Sequence, residues 1–90
     1  MTDRSRPRLS SNARLRPDRR RGGSLLLYPE RGLVLNRTAG EILQLCDGCR
    51  TVGAIAERLA HRHGAHLRDS IQKDILTLLS GLQARGLIQE

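Results

Sequence analysis

The chain has 90 residues and a formal charge of +7, with Tyr28 its only aromatic and neither Phe nor Trp. That length holds one small hydrophobic core and excludes separate catalytic and regulatory domains. The core must be built from Leu, Ile, Val and Ala; no apolar run is long enough to span a membrane, and the N-terminus lacks the apolar stretch of a secretory signal, so a cytoplasmic protein is expected.

The charge is unevenly placed. Residues 1–24 carry eight Arg against Asp3 and Asp18, which is +6, and leave only +1 for the rest. An Arg-rich solvated segment attracts polyanions and speeds encounter more than it defines specificity. Residues 1–13 combine Pro, Ser, Asn and Arg with one large aliphatic after Met1, Leu9, which predicts a disordered basic tail. The single domain is then expected over residues 14–90.

Residues 14–21 predict a short outer strand, confined to a sheet edge because Pro17 lacks a backbone donor. Leu25-Leu26-Leu27-Tyr28 follows Gly22-Gly23 and reads as a strand. The turn Pro29-Glu30-Arg31-Gly32 leads directly into Leu33-Val34-Leu35, so the two apolar runs predict a β-hairpin.

From Thr38 the period becomes helical. Thr38-Ala39-Gly40-Glu41 has capping-box spacing, Ala39, Ile42, Leu43 and Cys46 form one stripe, and Asp47-Gly48 stops the helix. Thr51 caps a second helix through Val52, Ile55, Ala56, Leu59 and Ala60 to Gly64. A third helix, Arg68 to Arg85, places Ile71, Ile75, Leu78, Leu79 and Leu82 within about 100° of one another, with Leu76 well off that stripe. The expected fold is α+β: a small antiparallel N-terminal sheet followed by three helices, similar to a winged helix-turn-helix.

Leu35-Asn36-x-Thr38-Ala39-x-x-Ile42-Leu43-x-Leu45-Cys46-Asp47-Gly48-x-x-Thr51-Val52-x-x-Ile55-x-x-Leu59 resembles the central signature of the pyrroloquinoline quinone (PQQ) biosynthesis protein D family, PqqD. Leu26-Leu27-Tyr28-Pro29-Glu30-Arg31-Gly32 is similar to that family's hairpin, and Asp74-Ile75-Leu76 with Leu79, Leu82 and Gly86-Leu87-Ile88 to its last helix and tail. Ser24 stands where relatives often carry a bulky aromatic, and Cys49 is not a family feature. The resemblance implies a non-catalytic adaptor that binds a precursor peptide and presents it to a radical S-adenosylmethionine enzyme, which cross-links a Glu to a Tyr. It also implies that the peptide joins the sheet beside the third strand, in the groove between that strand and the last helix.

Residue chemistry supports the same mode, because a hairpin ending in Leu33-Val34-Leu35 leaves backbone donors and acceptors open to another strand. The expected peptide site is Leu33, Val34 and Leu35 for pairing and Leu76, Thr77 and Leu78 for selection, with Lys73 and Asp74 setting direction. The same edge, with its glycine hinges, permits strand exchange between two copies.

Other chemistries fit less well. The second helix, read as a DNA-recognition helix, offers Glu57, Arg58 and Arg62 but no Asn, Gln or Lys to read base edges. Cys46-Asp47-Gly48-Cys49 with His61, His63 and His66 resembles a zinc constellation, yet Cys46 lies on an apolar stripe and solvated His are common at helix ends. The two thiols are expected to be reduced. Ser70 and Ser80 lack a nucleophile turn, and the carboxylates are scattered. Neither catalytic residues, nor metal, nor a cofactor is expected.

Overall fold

The computed structural model describes residues 1–29 and 31–90. Its elements run β1 (Arg8–Leu9), β2 (Arg14–Pro17), β3 (Ser24–Tyr28), β4 (Arg31–Leu35), α1 (Arg37–Gln44), α2 (Val52–His63), a short 3-10 turn (Ala65–Leu67), α3 (Arg68–Ala84) and β5 (Ile88–Gln89). The fold is α+β, with an antiparallel sheet near the N-terminus followed by three helices. Glu30, in the predicted turn between β3 and β4, lies outside the described residues.

β2, β3 and β4 form one antiparallel sheet in that order, with Leu26 opposite Leu33 and Ser24 opposite Leu35. Alternation along β3 turns Ser24 and Leu26 inward and Leu27 to solvent. The inner face packs on the helices. Leu26, Leu43, Val52, Ile55, Ile75 and Leu79 are wholly buried, so the core is aliphatic, as the composition requires. The turn before β3 presses against the end of β4: Gly23 has φ +77°, and a Cβ there would lie 2.5 Å from the Leu35 carbonyl.

The helices form where the periodicity places them, except that α1 changes its N-cap and ends at Gln44, before the Cys46 and Asp47-Gly48 expected to close it. α1 is capped by Asn36, whose Oδ1 accepts from the Ala39 N–H at 2.8 Å, whereas Thr38 is already inside the helix. The expected Thr51 cap of α2 is present, with Oγ1 accepting from the Ala54 N–H at 3.0 Å. Gly40 in α1 packs directly on Ser24; a Cβ would approach its Oγ to 2.4 Å. The small residue at position 24 and the glycine of α1 therefore fit each other, and a bulky side chain at 24 would not fit.

Residues 1–13, expected to be disordered, instead run as a strap along the domain. β1 pairs with β5, placing Arg8 opposite Gln89 and Leu9 opposite Ile88. The carbonyls of Asp3, Ser5 and Pro7 accept from Gly53, Val52 and Gly48, each at 2.9 Å, and Pro7 is fully buried. Val52, Gly53 and Ala54 open α2 and have no intrahelical acceptors; the strap satisfies the first two and Thr51 the third. Counting apolar side chains misses this segment because backbone carbonyls carry most of its attachment.

Removing residues 1–7 should therefore lower the folding free energy by about 1–3 kcal/mol, from three lost hydrogen bonds and a buried Pro, partly offset by released chain entropy. Urea denaturation followed by circular dichroism measures it, and an unchanged midpoint would mean that the strap is not held.

Candidate functional site

The two edges of the three-stranded sheet are unlike. β2 carries Arg14, Arg16 and Pro17, which discourage pairing by charge and by the missing donor. β4 carries Leu33, Val34 and Leu35, and among the described residues no strand pairs with its outer side. Alternate residues of β4 thus present N–H and C=O groups to an open edge.

Beside that edge lies a groove of about 350 Å³, lined by Leu33, Leu35, Thr77, Leu78, Gly81, Leu82 and Arg85. Its floor is aliphatic: Leu35 and Leu82 are buried, and Leu33 and Leu78 are half-buried. Along α3 the contributing residues follow steps of three and four, the spacing of one helix face.

Four of the expected residues meet here: Leu33 and Leu35 from β4, Thr77 and Leu78 from α3. Val34 does not, because strand alternation turns its side chain to the opposite face, where it is 55% exposed. Leu76 does not either. At 3.6 residues per turn it points about 160° away from Leu78, and it rests half-buried against the core. Lys73 and Asp74 are exposed one turn before Thr77 and do not line the groove. Gly81, Leu82 and Arg85 were missed as site residues. Continuing from Thr77 and Leu78 by three- and four-residue steps would have reached all three.

A larger concavity, about 960 Å³, lies between α1 and α2, with Glu41, Glu57, Arg58 and Arg62 among its walls. Its charges are of both signs and partly paired internally: Glu41 contacts Arg62 at 3.4 Å and His63 at 3.0 Å. It has no strand edge, so its size does not make it the better peptide site.

Cys46 and Cys49 occupy different environments. Cys46, two residues past the end of α1, is buried and its Sγ donates to the Ile42 carbonyl at 3.3 Å; Cys49 is exposed. Burial pushes the Cys46 thiol from 9.0 up to about 12, and the Asp47 carboxylate pushes the same way. The backbone N–H groups of Arg50 and Cys49, bonded to Asp47, hold that carboxyl below its ordinary range. Among the described residues no three His, Cys, Asp or Glu side chains come together in a metal-binding group.

In the native protein, iodoacetamide should modify Cys49 while Cys46 reacts only on unfolding, as mass spectrometry of the alkylated chain will report. The folded state holds the Cys46 proton more tightly than the unfolded state. This contribution to stability is therefore full below pH 9 and is lost as pH rises from 9 toward 12.

A profile of the family described as "Coenzyme PQQ synthesis protein D (PqqD)" matches residues 23–88. A "PqqA binding protein" of Rhodopseudomonas palustris strain TIE-1 is 42% identical over 90 residues, which is all of this chain and 87% of that one. The "Bifunctional coenzyme PQQ synthesis protein C/D" of Methylorubrum extorquens is 39% identical over 83 residues, 92% of this chain but 22% of that protein. Among solved structures, the solution NMR structure of the PqqD truncation of Methylobacterium extorquens PqqCD superposes with a TM-score of 0.83 at 38% identity, covering 93% of this chain and 88% of that one. That protein is described as a functional, stand-alone recognition element for ribosomally synthesized and post-translationally modified peptides. With nearly three quarters of its length matched by the family profile and full-length relatives near 40% identity, the chain belongs to the PqqD family.

Proposed function

We propose that this chain is a peptide-recognition element of PQQ biosynthesis, which binds the precursor peptide PqqA as an added strand on β4 and presents it to a radical S-adenosylmethionine enzyme. The observation that carries this reading is the open edge of β4 beside an aliphatic groove. Backbone pairing along β4 supplies affinity with little demand on sequence, and the groove selects side chains on one face of the peptide. The names of the relatives, PqqA binding proteins, and the recognition element of similar fold support it.

The chain makes no bond itself in this reading; chemistry belongs to the enzyme that receives the peptide. The fusion of protein C to protein D in the Methylorubrum relative supports a role beside other proteins of the pathway. The same β4 edge is where a second copy would exchange strands, in competition with the peptide.

PqqA peptide should bind with micromolar affinity, about 8 kcal/mol, and shift backbone amides in residues 32–37 and 77–85. Val34→Pro, which removes one β4 donor, should weaken binding by about tenfold or more while helicity is kept. Titration calorimetry with the wild-type and variant chains measures this. Shifts confined to residues 51–63, or binding of duplex DNA in place of the peptide, would reject the reading.

A further inference from the structure

Three glycines lie inside the helices, and two of them face a neighbour. Gly40 is needed for α1 to approach Ser24, and a Cβ on Gly53 would make ordinary contact, 3.4 Å, with the Asp3 carbonyl of the strap. Gly81 has no such neighbour. A Cβ there would meet no heavy atom within 4 Å, and its backbone is helical. Glycine inside a helix loses more chain entropy on folding than alanine does, so within the folded chain Gly81 is a cost without a compensating contact.

Its position supplies the missing reason. Gly81 sits in the wall of the groove, with Leu78 on one side and Arg85 one turn beyond on the other. Among the described residues Arg85 is the only charged one of that lining, and it makes no ion pair there. Exposed Arg31 opens β4 and exposed Arg37 follows its far end, and among the described residues no carboxylate lines the groove. An occupant of this groove meets a bare patch of helix, then a free cation.

We propose that Gly81 and Arg85 are the specificity-determining pair of the groove: Gly81 admits a large apolar side chain of the added peptide strand, and Arg85 binds a carboxylate two residues away on the same face of that strand. The proposal rests on the peptide-binding reading above and adds a recognition rule to it, an apolar residue and an acidic residue at alternate positions. The spacing fits. One helical turn from Gly81 to Arg85 advances about 6 Å along α3, and alternate residues of a strand are about 6.6–6.8 Å apart. The groove takes residues from both β4 and α3, so the added strand runs beside both.

The test uses the full chain and PqqA peptide, with Kd and thermal midpoint measured for each variant. Gly81→Ala should raise the midpoint by about 4 °C and weaken the peptide several-fold, two changes of opposite sense that a merely structural glycine would not produce. Gly81→Leu should weaken the peptide further. Arg85→Gln should weaken it by about tenfold and flatten its salt dependence, with Arg85→Lys in between. One carboxylate-to-amide change in the peptide should cost the wild type as much as Arg85→Gln does, and cost the Arg85→Gln chain nothing more. If Gly81→Ala and Arg85→Gln bind as the wild type does while Val34→Pro still weakens binding, the pair does not read the peptide, although the peptide-binding reading stands. A fall in midpoint for Gly81→Ala would overturn the claim that this patch is bare. If the wild-type chain leaves PqqA peptide unbound, both readings fall.

Discussion

Burial of one face of a three-stranded sheet against three helices is the interaction on which the rest of this structure depends. With no Phe or Trp, the seal is made by Leu26 and Leu35 from the sheet and Ile55, Ile75, Leu79 and Leu82 from the helices. Removing one such side chain to Ala costs about 2–5 kcal/mol, as much as the roughly 3–5 kcal/mol that a core of this size supplies. The interior is therefore committed to folding. What remains for recognition is the outside: one strand edge, one helix flank and the surface charges.

Those charges are organised by the fold and not carried on a free tail. Asp18, buried at the turn between β2 and β3, accepts from the Arg20 and Arg21 backbone N–H groups at 3.1 and 3.2 Å. The turn thereby holds Arg19, Arg20 and Arg21 exposed in a fixed region, close to Arg37 at the start of α1. A positive rim at the Leu35 end of β4 would steer an acidic peptide toward the groove before contact is made.

Much of this architecture was legible in the sequence. Glycine-bounded aliphatic runs placed the β3–β4 hairpin, and the Thr51 cap and three-residue periodicity placed α2. The strap was illegible because its attachment is made by the carbonyls of Asp3, Ser5 and Pro7, and main-chain acceptors look alike in every residue. The groove was half legible. Leu76 and Leu78 are close in sequence but point about 160° apart on a helix, so of the two only Leu78 faces the groove. Gly81 and Arg85 gave no apolar signal: a helical glycine reads as a weakness, and an arginine at a helix end reads as an ordinary partner for terminal carbonyls. Their meaning appears only when the space around them is known.

The strap has a mechanical consequence. It joins β1 to β5 and brings the Met1 amino group within 3.9 Å of Glu90, so both ends of the chain emerge at one place. A force applied to the N-terminal end loads the Asp3 and Ser5 hydrogen bonds before it reaches the sheet. Peeling them would uncover the first amides of α2 and fray that helix, while β4 and α3, where the groove lies, remain shielded from the load.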